Sequence, residues 1–348
     1  MRKVLNVFLT VVAAGIACEA QVAPAAQPVI NSYISFSLME KDLLPENVAY
    51  DPVDKAFYVG STRKGKIVRF KDGAASDFAS REDHGLWQVI GMKVDPARRV
   101  LWVCSSMGEN LEGYSKSDTN PAGIFKFDLR TGELIKKYVL ETPGEVHFFN
   151  DLVIGPSGDV FATHMFKEAA IYTIAAERDE LEVFLKPDRF AAPNGIAISD
   201  DGGRLFIAHQ FGVKTLNVKT KEFLNLQYPE NVTMKGIDGL YFFDRSLIAI
   251  HSEPGQVRRY RLDESLGNVI SGETLESGHP LLRLPTTGVI IDGSLHYVAN
   301  SQFDAFTGSG ELLPYDRLVQ PVILRVGTGG SGQVKERSAE TTRSDRGQ

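Results

Sequence analysis

Phe149-Asn150-Asp151-Leu152-Val153-Ile154 decides the fold, because five other stretches align with it. Asn150 superimposes on Asn194 in Pro193-Asn194-Gly195-Ile196-Ala197-Ile198, on Asp238 in Ile237-Asp238-Gly239-Leu240-Tyr241-Phe242, and on Glu46 in Pro45-Glu46-Asn47-Val48-Ala49-Tyr50. Ile90 and Thr287 head the other two copies, one continuing with Met92 and Val94, the other with Val289, Ile290 and Ile291. Six units share one register, and four of them open on a carboxylate or an amide.

Outward from that slot, every unit runs the same course. In the first, Val48 to Tyr50 reads as a strand and Asp51-Pro52-Val53-Asp54 as a turn; Ala56-Phe57-Tyr58-Val59 returns, and Lys66 to Phe70 follows as a third strand. Asp95-Pro96-Ala97-Arg98, Gly155-Pro156-Ser157-Gly158 and Ser199-Asp200-Asp201-Gly202-Gly203 are the matching turns, with the residue types that short hairpin connections demand. A period of about 44 residues with several short strands per unit predicts an all-β fold, a six-bladed β-propeller over residues 30–326. The sixth unit ends one strand short, after Val322 to Val326. Ile30 to Phe36, with Ile30, Ile34 and Phe36 on one face, precedes the first unit and supplies the missing strand, closing the ring without a free edge. No segment holds a capped helical period, and neither Trp87 nor Trp102 sits in a Trp-Asp pair. An α/β fold and WD repeats are thereby set aside.

The chain has 348 residues, 43% hydrophobic, with a net charge of -6. A balance of that sign without a basic block argues against a nucleic-acid partner. Beyond the N-terminus no apolar run approaches the length of about 18 residues that an integral membrane domain needs. Arg2, Lys3 and the apolar stretch Val4 to Ala17, followed by small residues, read as an export signal over residues 1–20, implying a periplasmic or secreted protein. Gly15-Ile16-Ala17-Cys18 is a poor lipoprotein box, with Gly15 where a Leu is expected. An Ala/Pro-rich flexible leader (21–29) and a Gly/Ser-rich disordered tail (327–348) flank the ring. Once Cys18 leaves with the signal, Cys104 has no partner for a disulfide.

In a propeller the first strand of each blade lines the central channel and the second returns to the same rim. The residues arriving there are Gly60-Ser61, Cys104-Ser105, His164, His209, His251 and Asn300, each about 14 residues after its slot. The insertions Met107 to Ala122 and Phe303 to Gln320 overhang this mouth, and the connections carrying His84 and His147 open on the same side. Long loops on one face of a scaffold carry function. Glu46, Asn150, Asn194 and Asp238 converge on the axis: two carboxylates and two amide oxygens, the hard donors that suit Ca2+. Mn2+ and Zn2+ are the alternatives, Zn2+ the less suited because it favours His and Cys. Asn194-Gly195 or Asp238-Gly239 alone reads as a hairpin turn. However, each unit has its own turn a few residues later, and Glu46 and Asn150 fill the same slot.

The Pro-Glu-Asn at Glu46, the Asn-Asp before Leu152-Val153-Ile154, Pro193-Asn194-Gly195-Ile196-Ala197 and Asp238-Gly239-Leu240 together resemble the senescence-marker-protein/gluconolactonase/regucalcin family of six-bladed propellers and, distantly, the paraoxonases. The resemblance runs from about Pro45 to Asn300. It implies a Ca2+ or another divalent cation held by Glu46, Asn150, Asn194 and Asp238, and hydrolysis of a lactone or related ester. It implies Asp238 as ligand and general base, with His251 on the same blade as the second candidate. By the same resemblance Asp151 matches a ligand of a second, structural ion. Gln88 stands where paraoxonases carry a His. Asn150, Gln88, His164, His209 and Asn300 are the expected pocket residues. Two other readings remain: a non-catalytic, calcium-stabilised scaffold, and a strictosidine-synthase-like enzyme, which Thr287 at the sixth slot disfavours. Cys104 has a rim address but no His in a fixed relation to it.

Overall fold

The computed structural model describes residues 27–329 apart from 116–118, 167–168, 189 and 308–310. The export signal, Cys18, leader residues 21–26 and tail residues 330–348 lie outside the described residues. The chain forms six four-stranded antiparallel sheets, the blades of a six-bladed β-propeller. Their inner strands, in blade order, are Pro45–Asp51, Gln88–Asp95, Phe149–Ile154, Ile196–Ile198, Ile237–Phe243 and Gly288–Ile291.

The packing follows from period-2 alternation within strands covered on both faces. In Val100–Ser106, the second strand of blade 2, Leu101 and Val103 enter the core shared with blade 1, whereas Trp102 and Cys104 enter the core shared with blade 3. In Arg204–His209 of blade 4, Leu205 and Ile207 meet blade 3 while Phe206 and Ala208 meet blade 5. Successive side chains point to opposite faces, so a strand wedged between two blades reads as a continuous apolar run. The molecule has one apolar wedge per blade interface, arranged around an axial channel, and no single central core.

Closure uses the N-terminal strand as expected. Tyr33–Ser37 pairs with Val322–Gly327 as the outermost strand of blade 6, and Phe36 stacks on Phe70 of blade 1 with ring centroids 4.2 Å apart. Ile30 and Ile34 differ from expectation, being 52% and 58% exposed. The pairing shifts between Ile34 and Phe36, and a bulge there turns only Phe36 to the core. The leader is docked by its last residues: Val29 bridges Ser277 on the outer strand of blade 5. Next to it the buried Glu276 accepts the Asn31 and Ser32 N–H groups on Oε2 at 2.9 and 2.6 Å. The start of the expected tail is docked too, since Thr328 N donates to Gly293 O and the Arg259 guanidinium donates to Gly329 O. Glu276→Ala is expected to cost about 2–3 kcal/mol through loss of these charge-assisted bonds, read as a lower midpoint in urea unfolding.

Candidate active site

In each inner strand the ladder slips by one residue at the mouth. Pro45 pairs with Ser61 and Val48 with Val59, which leaves Glu46 and Asn47 facing Gly60 alone. Blades 2, 3 and 5 repeat this with Ile90-Gly91, Asn150-Asp151 and Asp238-Gly239. In blade 4 Asn194 N and Gly195 O both bond to Ala208. In blade 6 Thr286 N and Thr287 O both bond to Val298. Such bulges re-aim side chains at functional rims. The sixth slot is therefore Thr286, one residue before the Thr287 expected from sequence. Counting back from Val289 misplaces it, because Gly288 stands where the other blades carry Val48, Met92 or Leu152.

The bulges touch one another around the ring. Thr286 and Thr287 hydroxyls donate to Glu46 O at 2.6 and 2.7 Å, and Thr163 Oγ1 donates to Asn194 O at 2.8 Å. Gly91 and Gly195 permit the closest approaches. A Cβ on Gly91 would meet Asn150 O at 2.6 Å, and one on Gly195 would fall on the Asp238 carbonyl. Among the four predicted donors, Asn194 is hydrogen-bonded to Asp238 and Glu46 feels the Asp238 charge, and the electrostatics follow. Burial pushes the Glu46 carboxyl well up, and the negative charges of Asp238 and Asp151 add to it. Burial also raises Asp238, against the lowering effect of hydrogen bonds from Ser252 and Asn194, with Asp151 raising it further. The Ser252 hydroxyl donates to Asp238 Oδ2 at 2.7 Å. Asn150 Nδ2 is spent on Met165 Sδ at 3.0 Å, while Asn150 Oδ1 and Asn194 Oδ1 are buried with no donor. Two donor-less amide oxygens beside two repelling carboxyls fit a hard divalent cation. The set is sparse in charge: among the described residues no three His, Cys, Asp or Glu side chains gather as a metal site.

Asp151, the residue that the resemblance matched to a second ion, is ion-paired through one oxygen while Oδ2 has no partner. It is fully buried, and Lys93 of the neighbouring inner strand places Nζ 2.9 Å from its Oδ1. That ammonium lies 5.9 Å from the centre of the Tyr241 ring and brings a positive charge to the buried carboxylate.

The histidines of blades 3 and 5 turn toward inter-blade cores. His164 pairs with Phe149 and His251 with Ile237. Directly opposed residues share a face, and those partners belong to inter-blade cores. His251 is corrected as a catalytic candidate: Nδ1 meets Lys235 O at 2.9 Å and Nε2 meets Tyr260 OH at 2.8 Å. Burial lowers its pKa from 6.5 to about 4. His164 Nε2 lies 3.2 Å from Nδ1 of His147, whose Nε2 reaches Thr142 Oγ1 at 3.1 Å. His209 stands between Phe190 and Phe211, ring centroids 6.0 and 5.8 Å away. Asn300 is absorbed by structure, donating to Gln320 O at 2.8 Å and accepting Val322 N at 2.7 Å. Gln88 lies against Gly108 at the base of the first long loop. Cys104 is fully buried, and burial pushes its thiol well up, the opposite of a nucleophile. Sequence reasoning missed Ser252 and Lys93; Ser252 directly follows a rim residue, and Lys93 is a charge on an otherwise apolar inner strand.

Neutral burial of His251 has a pH consequence. The unfolded chain takes up the proton near pH 6.5 and the folded one only near 4, so stability is full above 6.5 and declines as pH falls through that window. The decline is about 3 kcal/mol for this group. Melting measured from pH 7 to pH 4 should show it, and His251→Asn should flatten that part of the profile.

Among solved structures the fold is similar to a gluconolactonase from Xanthomonas campestris (TM-score 0.57, 13% identity, covering 88% of this chain and 98% of that one). It is also similar to a calcium-binding regucalcin from Agrobacterium tumefaciens (0.55, 17%, 83% and 92%). A PQQ-bound aldose sugar dehydrogenase from Streptomyces coelicolor lies at the same level (0.56, 14%, 87% and 99%). At these identities the likeness is one of fold, and the fold hosts more than one chemistry. No family model and no curated protein matches the chain.

Proposed function

We propose that this is a divalent-cation-dependent hydrolase that opens a lactone or a related carboxylic ester at the mouth of the channel. The observation that carries the reading is the pair of donor-less buried amide oxygens, on Asn150 and Asn194, set beside the raised carboxyls of Glu46 and Asp238. Those four side chains would hold the cation, Ca2+ or Mn2+ before Zn2+ by donor type. When bound, the ion supplies Lewis-acid polarisation of a carbonyl and charge stabilisation on its oxygen.

The chain's own residues do the rest. Ser252 fixes the orientation of the Asp238 carboxylate, which takes a proton from the attacking water as the water oxygen bonds to the carbonyl carbon. The ring C–O bond then breaks, and the same proton passes to the departing alkoxide, giving a hydroxy acid. The gluconolactonase and the calcium-binding regucalcin among similar folds are consistent with this reading, and the donor set of the slot ring carries it. Residues 1–20 are proposed to direct export, which N-terminal sequencing of the mature protein checks.

Metal analysis of purified protein, followed by a lactone and ester panel before and after chelation, tests the proposal. The expected result is bound divalent ion and turnover that chelation abolishes and the ion restores. A propeller that keeps its cation for stability alone would melt lower on chelation yet turn over nothing.

A further inference from the structure

We propose that Lys93 limits the channel to one divalent ion: its ammonium stands where a second cation would otherwise bind. The inference rests on the slot-cation reading above and not on the hydrolysis. It gives Lys93 the part of setting how many ions the protein takes and how tightly it holds the one.

The first observation is the balance of charge. Three carboxyls lie within electrostatic reach of one another, since Asp238 and Asp151 both raise Glu46 and Asp151 also raises Asp238. One ammonium faces them, Lys93 Nζ, 2.9 Å from Asp151 Oδ1. Burial pushes the Cys104 thiol and the Tyr241 phenol well up, so both stay neutral. Three negative groups against one positive leave two negative charges, the amount that one divalent ion neutralises. Without Lys93 the same place would hold three.

The second observation is the oxygens left over. Asp151 and Asn47 are fully buried, and Asp151 Oδ2 and Asn47 Oδ1 have no partner. Asn47 spends its other end on Thr287, Nδ2 donating to Oγ1 at 2.6 Å. Each of the two adjoins a slot residue, Asn47 next to Glu46 on blade 1 and Asp151 next to Asn150 on blade 3. The inner strand of blade 2 packs against both of those strands. At the bulge it carries Gly91, where a Cβ would meet Asp151 Oδ1 at 2.8 Å, so no side chain of its own stands there. Buried oxygens without donors beside unbalanced negative charge make a place for a hard cation. Lys93 supplies the charge but fills only one Asp151 oxygen, as a point charge on a flexible stem does. Withdrawing it leaves both Asp151 oxygens and Asn47 Oδ1 donor-less together.

The test counts Ca2+ on the parent, Lys93→Met, Asp151→Asn and the double variant, by metal analysis after desalting and by calorimetric titration of the chelated proteins. One ion per chain is expected in the parent, two in Lys93→Met, and one in each of the others. Asp151→Asn should hold its ion about tenfold or more weakly, because a nearby negative charge is gone while the ammonium stays. In chelator Lys93→Met should melt below the parent, and Ca2+ should raise its Tm by more than it raises the parent's, through mass action of the extra ion. A Lys93→Met chain that folds only with Ca2+ present yields the same count on the folded protein. Asp151→Asn decides independently of that variant: unchanged affinity for its ion contradicts the shared charge balance. One ion in Lys93→Met, or two in the parent, overturns the inference and leaves the slot reading standing. No ion in the parent overturns the slot reading and this inference with it, whatever the variants bind.

Discussion

Lys93→Met is expected to destabilise the protein by about 3 kcal/mol, the lower end for breaking a buried ion pair because Lys93 keeps some solvent contact. The carboxylate left behind has no escape. Asp151 is fully buried, its Oδ2 already lacks a partner, and Lys93 is its ion-pair partner at 2.9 Å. The nearby slot carboxyls are of the same sign: Asp151 is among the charges that raise both Glu46 and Asp238. Substituting Asp151→Asn in the same chain removes the stranded charge, so the double variant should regain most of the loss. Urea unfolding of the two singles and the double at one fixed metal concentration measures the coupling. A Lys93→Met loss below about 1 kcal/mol would mean the channel ion pair is not the charge balance described.

Asp238→Asn is expected to reduce kcat/KM on the best lactone by about 10³-fold or more, the range for loss of a positioned general base. Asn keeps the shape and one oxygen, and it removes a carboxyl that burial already pushes up, so the folded state should survive. Assays at several concentrations of added ion separate a metal defect, which excess ion repairs, from a chemical one, which it does not. Ser252→Ala should reproduce part of the effect, because the hydroxyl fixes one Asp238 oxygen at 2.7 Å. Parent-level turnover by Asp238→Asn would remove the residue from the chemistry.

Much of the ring was legible because a strand buried on both faces has a simple signature, as Leu101-Trp102-Val103-Cys104 shows by feeding two inter-blade cores in turn. The slot residues were legible for a related reason: the bulge falls at the same place in each unit, so like side chains recur at like spacing. Facing was not legible. The spacing brought His164, His209 and His251 to the rim, but a bulge adds a residue on one strand only, and pairing with Phe149 and Ile237 turned His164 and His251 toward inter-blade cores. Asn300 failed as a pocket residue because a side-chain amide beside a long returning loop finds backbone partners there first. Lys93 and Asp151 stand 58 residues apart, and only the contact between neighbouring inner strands makes them a pair.

The central claim is that Glu46, Asn150, Asn194 and Asp238 hold a single hard cation on the axis. Calorimetric titration of chelated protein with Ca2+, on the parent and on an Asn150→Ala/Asn194→Ala variant, tests it most directly. One ion per chain in the parent, and loss of measurable binding in a variant that stays folded by circular dichroism, is the predicted result. No binding to the parent, or binding unchanged by removal of the two amides, would contradict it.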